Sequence, residues 1–175
     1  PYLYSVLSKV FVDGKMADCY LTTMGIRSID FDTNKGFLLN GQPFKLKGVC
    51  LHHDLGPIGA AVNVAALKRQ LRLLKEMGSN AIRTSHNPPS REFLQLTDSM
   101  GFVVQVEAFD EWKVAKNLNG YHLYFDEWAE KDLRAMIRRD RNHPSVIMWS
   151  IGNEVREQKM PEGKEIAKFL TDVCH

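Results

Sequence analysis

Arg139-Asp140-Arg141-Asn142-His143-Pro144-Ser145-Val146-Ile147-Met148-Trp149-Ser150-Ile151-Gly152-Asn153-Glu154 holds a helix end, a proline stop, a strand and a carboxylate in one run. Proline lacks an amide hydrogen and clashes with the preceding turn, so the helical pattern from about Asp126 to Arg141 cannot continue through Pro144. Val146 to Ile151 is apolar and too short for a helix, and reads as a buried strand. It delivers Glu154 to its C-terminal end, beside the amide of Asn153.

The same strand-then-helix unit repeats on either side. Downstream, Pro161 opens a helix with Ile166, Phe169, Leu170 and Val173 along one side. Upstream, Phe102 to Val106 is an apolar strand followed by a loop of about twenty residues, and before it Ser90 caps a helix that Gly101 closes. Asn80 to Thr84 makes another strand, running into Ser85-His86-Asn87-Pro88-Pro89. The first unit pairs a strand from Phe44 to Cys50 with a helix capped by Asn63, which carries Val64, Leu67, Leu71, Leu74 and Met77 on one stripe and stops at Gly78. Apolar strands alternating with amphipathic helices predict a parallel sheet covered by helices. An open doubly wound sheet and half of a (β/α)8 barrel both fit four such units. Each strand leads into a loop rich in His, Arg, Asp, Glu and Asn, as an active-site face requires, and no glycine-rich phosphate loop follows the first strand.

Before Pro43 the pattern is different. Tyr2 to Val12 and Met16 to Ile26 flank Asp13-Gly14, and a second tight turn is expected at Asn40-Gly41, so both stretches read as β-hairpins. The polar run from Asp30 to Lys35 is the expected boundary, giving domains 1–33 and 34–175. The start, Pro1-Tyr2-Leu3-Tyr4, reads as an interior cut rather than a natural terminus.

Composition removes several function classes. The 175 residues are 44% hydrophobic and 25% charged, which argues against disorder, collagen and coiled coil. With 23 basic against 21 acidic residues and no uninterrupted basic run, nucleic acid is not the expected partner. No stretch approaches the roughly 18 to 20 apolar residues of a membrane span. Cys19, Cys50 and Cys174 form no C-x-x-C pair, so they read as reduced thiols rather than a disulfide framework or zinc site.

A carboxyl at the end of an apolar strand suits glycosidic bond cleavage, which needs one carboxylic acid to protonate the leaving oxygen and a second carboxylate as nucleophile or base. Glu154 fits the acid if a neighbouring carboxylate's charge keeps it protonated, and a merely solvated surface glutamate is the competing reading. Here the chain resembles glycoside hydrolase family 2, which contains β-galactosidases, β-glucuronidases and β-mannosidases. Arg139 to Glu154 is similar to that family's acid/base signature, and Leu46-Lys47-Gly48-Val49-Cys50-Leu51-His52 and Asn80-Ala81-Ile82-Arg83-Thr84-Ser85-His86-Asn87-Pro88 match it in the same order.

The resemblance implies the first half of a TIM (β/α)8 barrel, preceded by the last strands of an immunoglobulin-like β-sandwich. It implies Glu154 as general acid/base, Asn153 on the sugar 2-hydroxyl, Arg83 orienting the nucleophile, and His52 and His86 contacting the sugar. Trp112 is expected to offer an aromatic face to the sugar, with loop packing as the alternative, and His143 falls on the opposite, stabilising face of the barrel. Val106-Glu107 departs from the family's usual Asp-Glu. Some β-galactosidases hold magnesium through a glutamate matching Glu111 and a histidine two positions later, where this chain has Lys113; no metal or cofactor is therefore assigned.

The expected activity is that of a retaining exo-β-glycosidase acting on terminal non-reducing β-D-galactosides. A β-glucuronidase, a β-mannosidase and a noncatalytic carbohydrate-binding fragment are the alternatives. The resemblance puts the nucleophile on a later barrel strand, so the expected partners are a β-linked glycoside and the remainder of the barrel. A homo-oligomer is compatible with the sequence, as are the bacterial cytoplasm, periplasm and exterior.

Overall fold

The computed structural model describes residues 1–175. Four parallel strands, β6 (Gly48–His52), β7 (Ala81–Ser85), β8 (Val103–Glu107) and β9 (Val146–Ser150), pair in sequence order. A doubly wound sheet reverses strand order at its centre. This sheet does not, and its unbroken progression is that of a barrel wall.

Helices α1 (Val64–Glu76), α2 (Arg91–Met100), α3 (Phe125–Asp140) and α4 (Glu162–Cys174) follow the strands in turn. The caps are local chemistry. Asn63 accepts the Ala66 amide at the start of α1, and Ser90 accepts that of Phe93 at the start of α2. Gly101 ends α2 in the left-handed region. Side chains alternate across each strand. Val104 and Val106 of β8 accordingly join the core with Leu71, Leu94, Leu133 and Leu170, while Val103, Gln105 and Glu107 face the concave side. No helix is long and apolar enough to cross a membrane.

A small antiparallel sheet, β3 (Ile29–Asp32), β4 (Gly36–Leu39) and β5 (Gln42–Pro43), closes the bottom of the wall, where Phe37 packs on Val103 and Ile147. The pairs Phe31 with Phe37 and Asp32 with Gly36 cross the expected 33/34 boundary. A hairpin turn, not a linker, occupies that position. The chain instead passes from the outer hairpin into the small sheet through Gly25 to Ser28. A side chain at Gly25 would come within 2.6 Å of Pro144. Here the Arg27 guanidinium donates to the Val146 carbonyl. Beside it, Asp98 accepts His143 Nδ1 at 2.6 Å and the Ser145 amide at 3.0 Å.

The outer hairpin, β1 (Tyr4–Val12) and β2 (Lys15–Met24), turns at Asp13 and Gly14, both at positive φ. Val6, Leu7, Val10, Phe11, Tyr20 and Leu21 are all exposed on it. The first barrel strand differs from the Phe44–Cys50 expectation. Residues 44 to 47 approach the sheet irregularly, held by Asn80, whose side chain accepts the Lys47 amide and donates to the Lys45 carbonyl. Regular pairing begins only at Gly48, against Ala81.

Candidate functional site

Glu107, the last residue of β8, is 0% exposed. An unpartnered buried carboxylate costs on the order of several kcal/mol, and four hydrogen bonds meet this one. Arg83 Nε and Nη2 lie 2.9 and 2.6 Å from Oε2, Ser150 Oγ donates to the same oxygen at 2.6 Å, and His86 Nδ1 is 2.6 Å from Oε1. The Glu107 amide donates to the Thr84 hydroxyl. Partial burial disfavours the Arg83 charge, but its hydrogen bonds and ion pair with Glu107 outweigh that and raise the guanidinium above its usual range.

Sequence reasoning assigned Glu107 no role. The available signal was the alternation of Val103, Gln105 and Glu107, which puts polar groups on the inward face of a strand whose other face is valine. Arg83 is consequently engaged on several sides. Its Nε and Nη2 serve Glu107, Nη2 also reaches Asn153 Oδ1 at 2.8 Å, and Nη1 faces Cys50 Sγ.

Asn153 is 9% exposed, with each kind of polar group engaged. Its amide donates to the Phe109 carbonyl at 3.0 Å, Oδ1 accepts from Arg83, Nδ2 donates to Asp110 Oδ1 at 2.9 Å, and its carbonyl accepts Lys116 Nζ at 2.6 Å. The second Nδ2 hydrogen is what remains for an outside hydroxyl. Burial raises the Asp110 pKa, but hydrogen bonds from Asn153 and Lys116, with the Lys116 charge, leave it below the usual carboxylate value. Glu154 follows, exposed, at φ 44°. A non-glycine residue held there stores strain on the order of 1–3 kcal/mol and is a pointer to function.

His52 and His86 come together, their rings edge to face at 5.2 Å. His53 turns away to the Ala60 carbonyl. Trp112 does not join them. It is 5% exposed, its indole N–H donates to the Ile151 carbonyl at 2.7 Å, and its ring belongs to the core, so the expected sugar platform is corrected to a packing residue.

The loop after β8 folds around Glu111. Its carboxylate accepts the Lys116 amide at 2.5 Å, the His122 amide at 3.0 Å and His122 Nδ1 at 2.9 Å, and Gly120 lies so close that a Cβ would fall 1.8 Å from Oε1. Burial opposes ionisation, but these backbone donors and His122 outweigh it and hold the Glu111 pKa at about 2. Glu111 is thus already saturated, and Lys113 pairs with Asp126 at 2.5 Å. These residues do not fit magnesium.

A cleft of about 790 Å³ opens beside this centre, lined by His52, His86, Asn87, Asp110, Tyr121, Asp132 and Arg139. The Arg139 guanidinium is bidentate on Asp140 and also reaches the Pro89 carbonyl.

The family description "Glycosyl hydrolases family 2, TIM barrel domain" matches residues 32–173. A β-galactosidase of Bacteroides ovatus is 57% identical over 158 residues, covering 90% of this chain and 19% of its own length. A β-glucuronidase of Streptococcus agalactiae is 39% identical over 164 residues, 87% of this chain and 27% of that protein. Among solved structures, a glycosyl hydrolase family 2 member from Bacteroides cellulosilyticus superposes with a TM-score of 0.96 at 46% identity, over 99% of this chain and 22% of the other. A β-glucuronidase from Ruminococcus gnavus in complex with D-glucuronic acid gives 0.85 at 31% identity, over 99% and 29%. The chain spans about a fifth to under a third of the length of these relatives.

Proposed function

The chain belongs to glycosyl hydrolase family 2, and from that premise we propose that it carries the acid/base side of a retaining exo-β-glycosidase site for terminal non-reducing β-D-galactosides. The carrying observation is Asn153-Glu154, a strained glutamate following an asparagine held at its amide, its side chain and its carbonyl.

In this reading Glu154 protonates the glycosidic oxygen as the C1–O bond breaks, while a carboxylate from the remaining barrel strands, about 5 to 5.5 Å away, attacks C1 to form a glycosyl-enzyme. Glu154 then takes a proton from the water that attacks C1 and releases the sugar. The free Nδ2 hydrogen of Asn153 suits the 2-hydroxyl, where a bond strengthens as positive charge develops on the ring. His86 is bound through Nδ1 and keeps Nε2 for a sugar hydroxyl, with His52 beside it. Arg83 Nη1, on the concave face, is the donor left for the nucleophile. Four further β/α units would cover that face, since parallel sheets are buried on both sides. The outer hairpin, with its exposed apolar residues, would be the end of an immunoglobulin-like sandwich.

A galactoside is preferred to a uronide on the 57% identity to the B. ovatus β-galactosidase, against 39% to the S. agalactiae β-glucuronidase.

The test is Glu154→Gln in the complete enzyme. Hydrolysis of methyl β-galactoside should fall about 10²- to 10⁴-fold, because its alkoxide must be protonated to leave, while dinitrophenyl β-galactoside should cleave at nearly the parent glycosylation rate. Equal rates for variant and parent on the methyl glycoside would reject Glu154 as the acid. A parallel preference for glucuronides would reject the sugar assignment alone.

A further inference from the structure

We propose that Lys116, acting with Asp110, is the positioning pair that fixes the Asn153–Glu154 peptide and so aims Glu154. The proposal rests on the acid/base reading of Glu154 and adds what holds that residue in place.

Three contacts close a circuit: Lys116 Nζ to the Asn153 carbonyl at 2.6 Å, Lys116 Nζ to Asp110 Oδ1 at 2.9 Å, and Asn153 Nδ2 to the same Asp110 oxygen at 2.9 Å. The carbonyl matters most. It belongs to the peptide plane that ends at the Glu154 nitrogen, and the orientation of that plane is what φ of Glu154 measures. At 44° the backbone is in a region that a glutamate leaves readily when unrestrained. The ammonium bond to the carbonyl anchors that plane; without it φ of Glu154 can relax toward negative values, and that rotation about N–Cα would turn the Glu154 side chain away from a bound glycoside.

Fixing a lysine costs about 1.5–2 kcal/mol of rotamer freedom, yet this side chain is only 19% exposed and serves no helix or strand. The loop that presents it is secured without the ammonium, through Glu111 on the Lys116 backbone amide and through buried Trp112. Removing the charge should therefore leave the loop in place and release only the Asn153 carbonyl.

The experiment compares Lys116→Met, Lys116→Arg and Glu154→Gln in the complete enzyme on methyl and dinitrophenyl β-galactosides. Misaiming the acid should lower kcat/KM of Lys116→Met on the methyl glycoside about 10- to 100-fold. On the dinitrophenyl substrate, which needs no protonation, the loss should stay under about 3-fold. Lys116→Arg, which restores a cationic donor, should recover most of the methyl glycoside activity. Equal losses on both substrates, or no loss, overturn the proposal while a leaving-group-dependent Glu154→Gln keeps the acid assignment. If Glu154→Gln itself shows no leaving-group dependence, the acid assignment and the positioning role both fall.

Discussion

Replacing Glu107 by glutamine tests whether the buried carboxylate organises the strand ends. The side chains are nearly isosteric, so the change is electronic. Three donors, Arg83 Nε, Arg83 Nη2 and Ser150 Oγ, converge on Oε2, and a glutamine oxygen placed there retains all three. The amide nitrogen must then face His86 Nδ1, which lies 2.6 Å from Oε1. Two donors would collide unless the imidazole moves its proton to Nε2, the atom proposed above for a sugar hydroxyl.

Arg83 meanwhile loses its counter-charge. Breaking a buried ion pair costs roughly 3–5 kcal/mol, and the 29% exposure of the Arg83 side chain screens part of that. We expect about 2–3 kcal/mol of destabilisation, or a fall of about 4–12 °C in Tm for a chain of this size. Thermal unfolding followed by circular dichroism gives the first number, and nitrogen NMR of the His86 ring reports the tautomer. A Tm within about 1 °C of the parent, with His86 still protonated on Nδ1, would refute the role assigned to Glu107.

Trp112→Ala should destabilise by about 3–5 kcal/mol, measured by denaturant titration, because the indole is core; a stable variant with weakened sugar binding would restore the platform role rejected above. The Glu111 pKa, depressed to about 2 from 4.5, contributes stability that is complete above about 4.5 and lost as pH falls toward 2. Amide exchange in residues 113–124, corrected for its intrinsic pH dependence, should show that protection declining through this window, and a flat profile from pH 5 to 2 would contradict it.

The layered plan was legible because it rests on short-range rules. Asn63 and Ser90 sit where their side chains reach the third residue on, and Val104 and Val106 declare the helix-facing side of β8. The fold class needed more. Strand order is a long-range property, and only the pairing of β6, β7, β8 and β9 in succession excluded the doubly wound alternative. The site was half legible. Arg83 and His86 meet through Glu107, whose burial depends on partners 21, 24 and 43 residues away, and Asn153 joins them by way of Arg83. The loop after β8 was the least readable part, since it has no periodicity. Its shape comes from one saturated carboxylate, and that shape decides that Trp112 turns inward and that Lys116 reaches Asn153.

The donors that hold Glu107 come from β7, β9 and the residue after β7, and the groups that hold Asn153 lie on β7 and in the loop after β8. None is borrowed from elsewhere. As the chain emerges during synthesis, both networks can close once β9 has docked on β8 and Asn153 and Glu154 have followed it. On the reading proposed above, Glu154 would be held in register before any later strand joins β9, so errors made in adding such strands need not spread back into it.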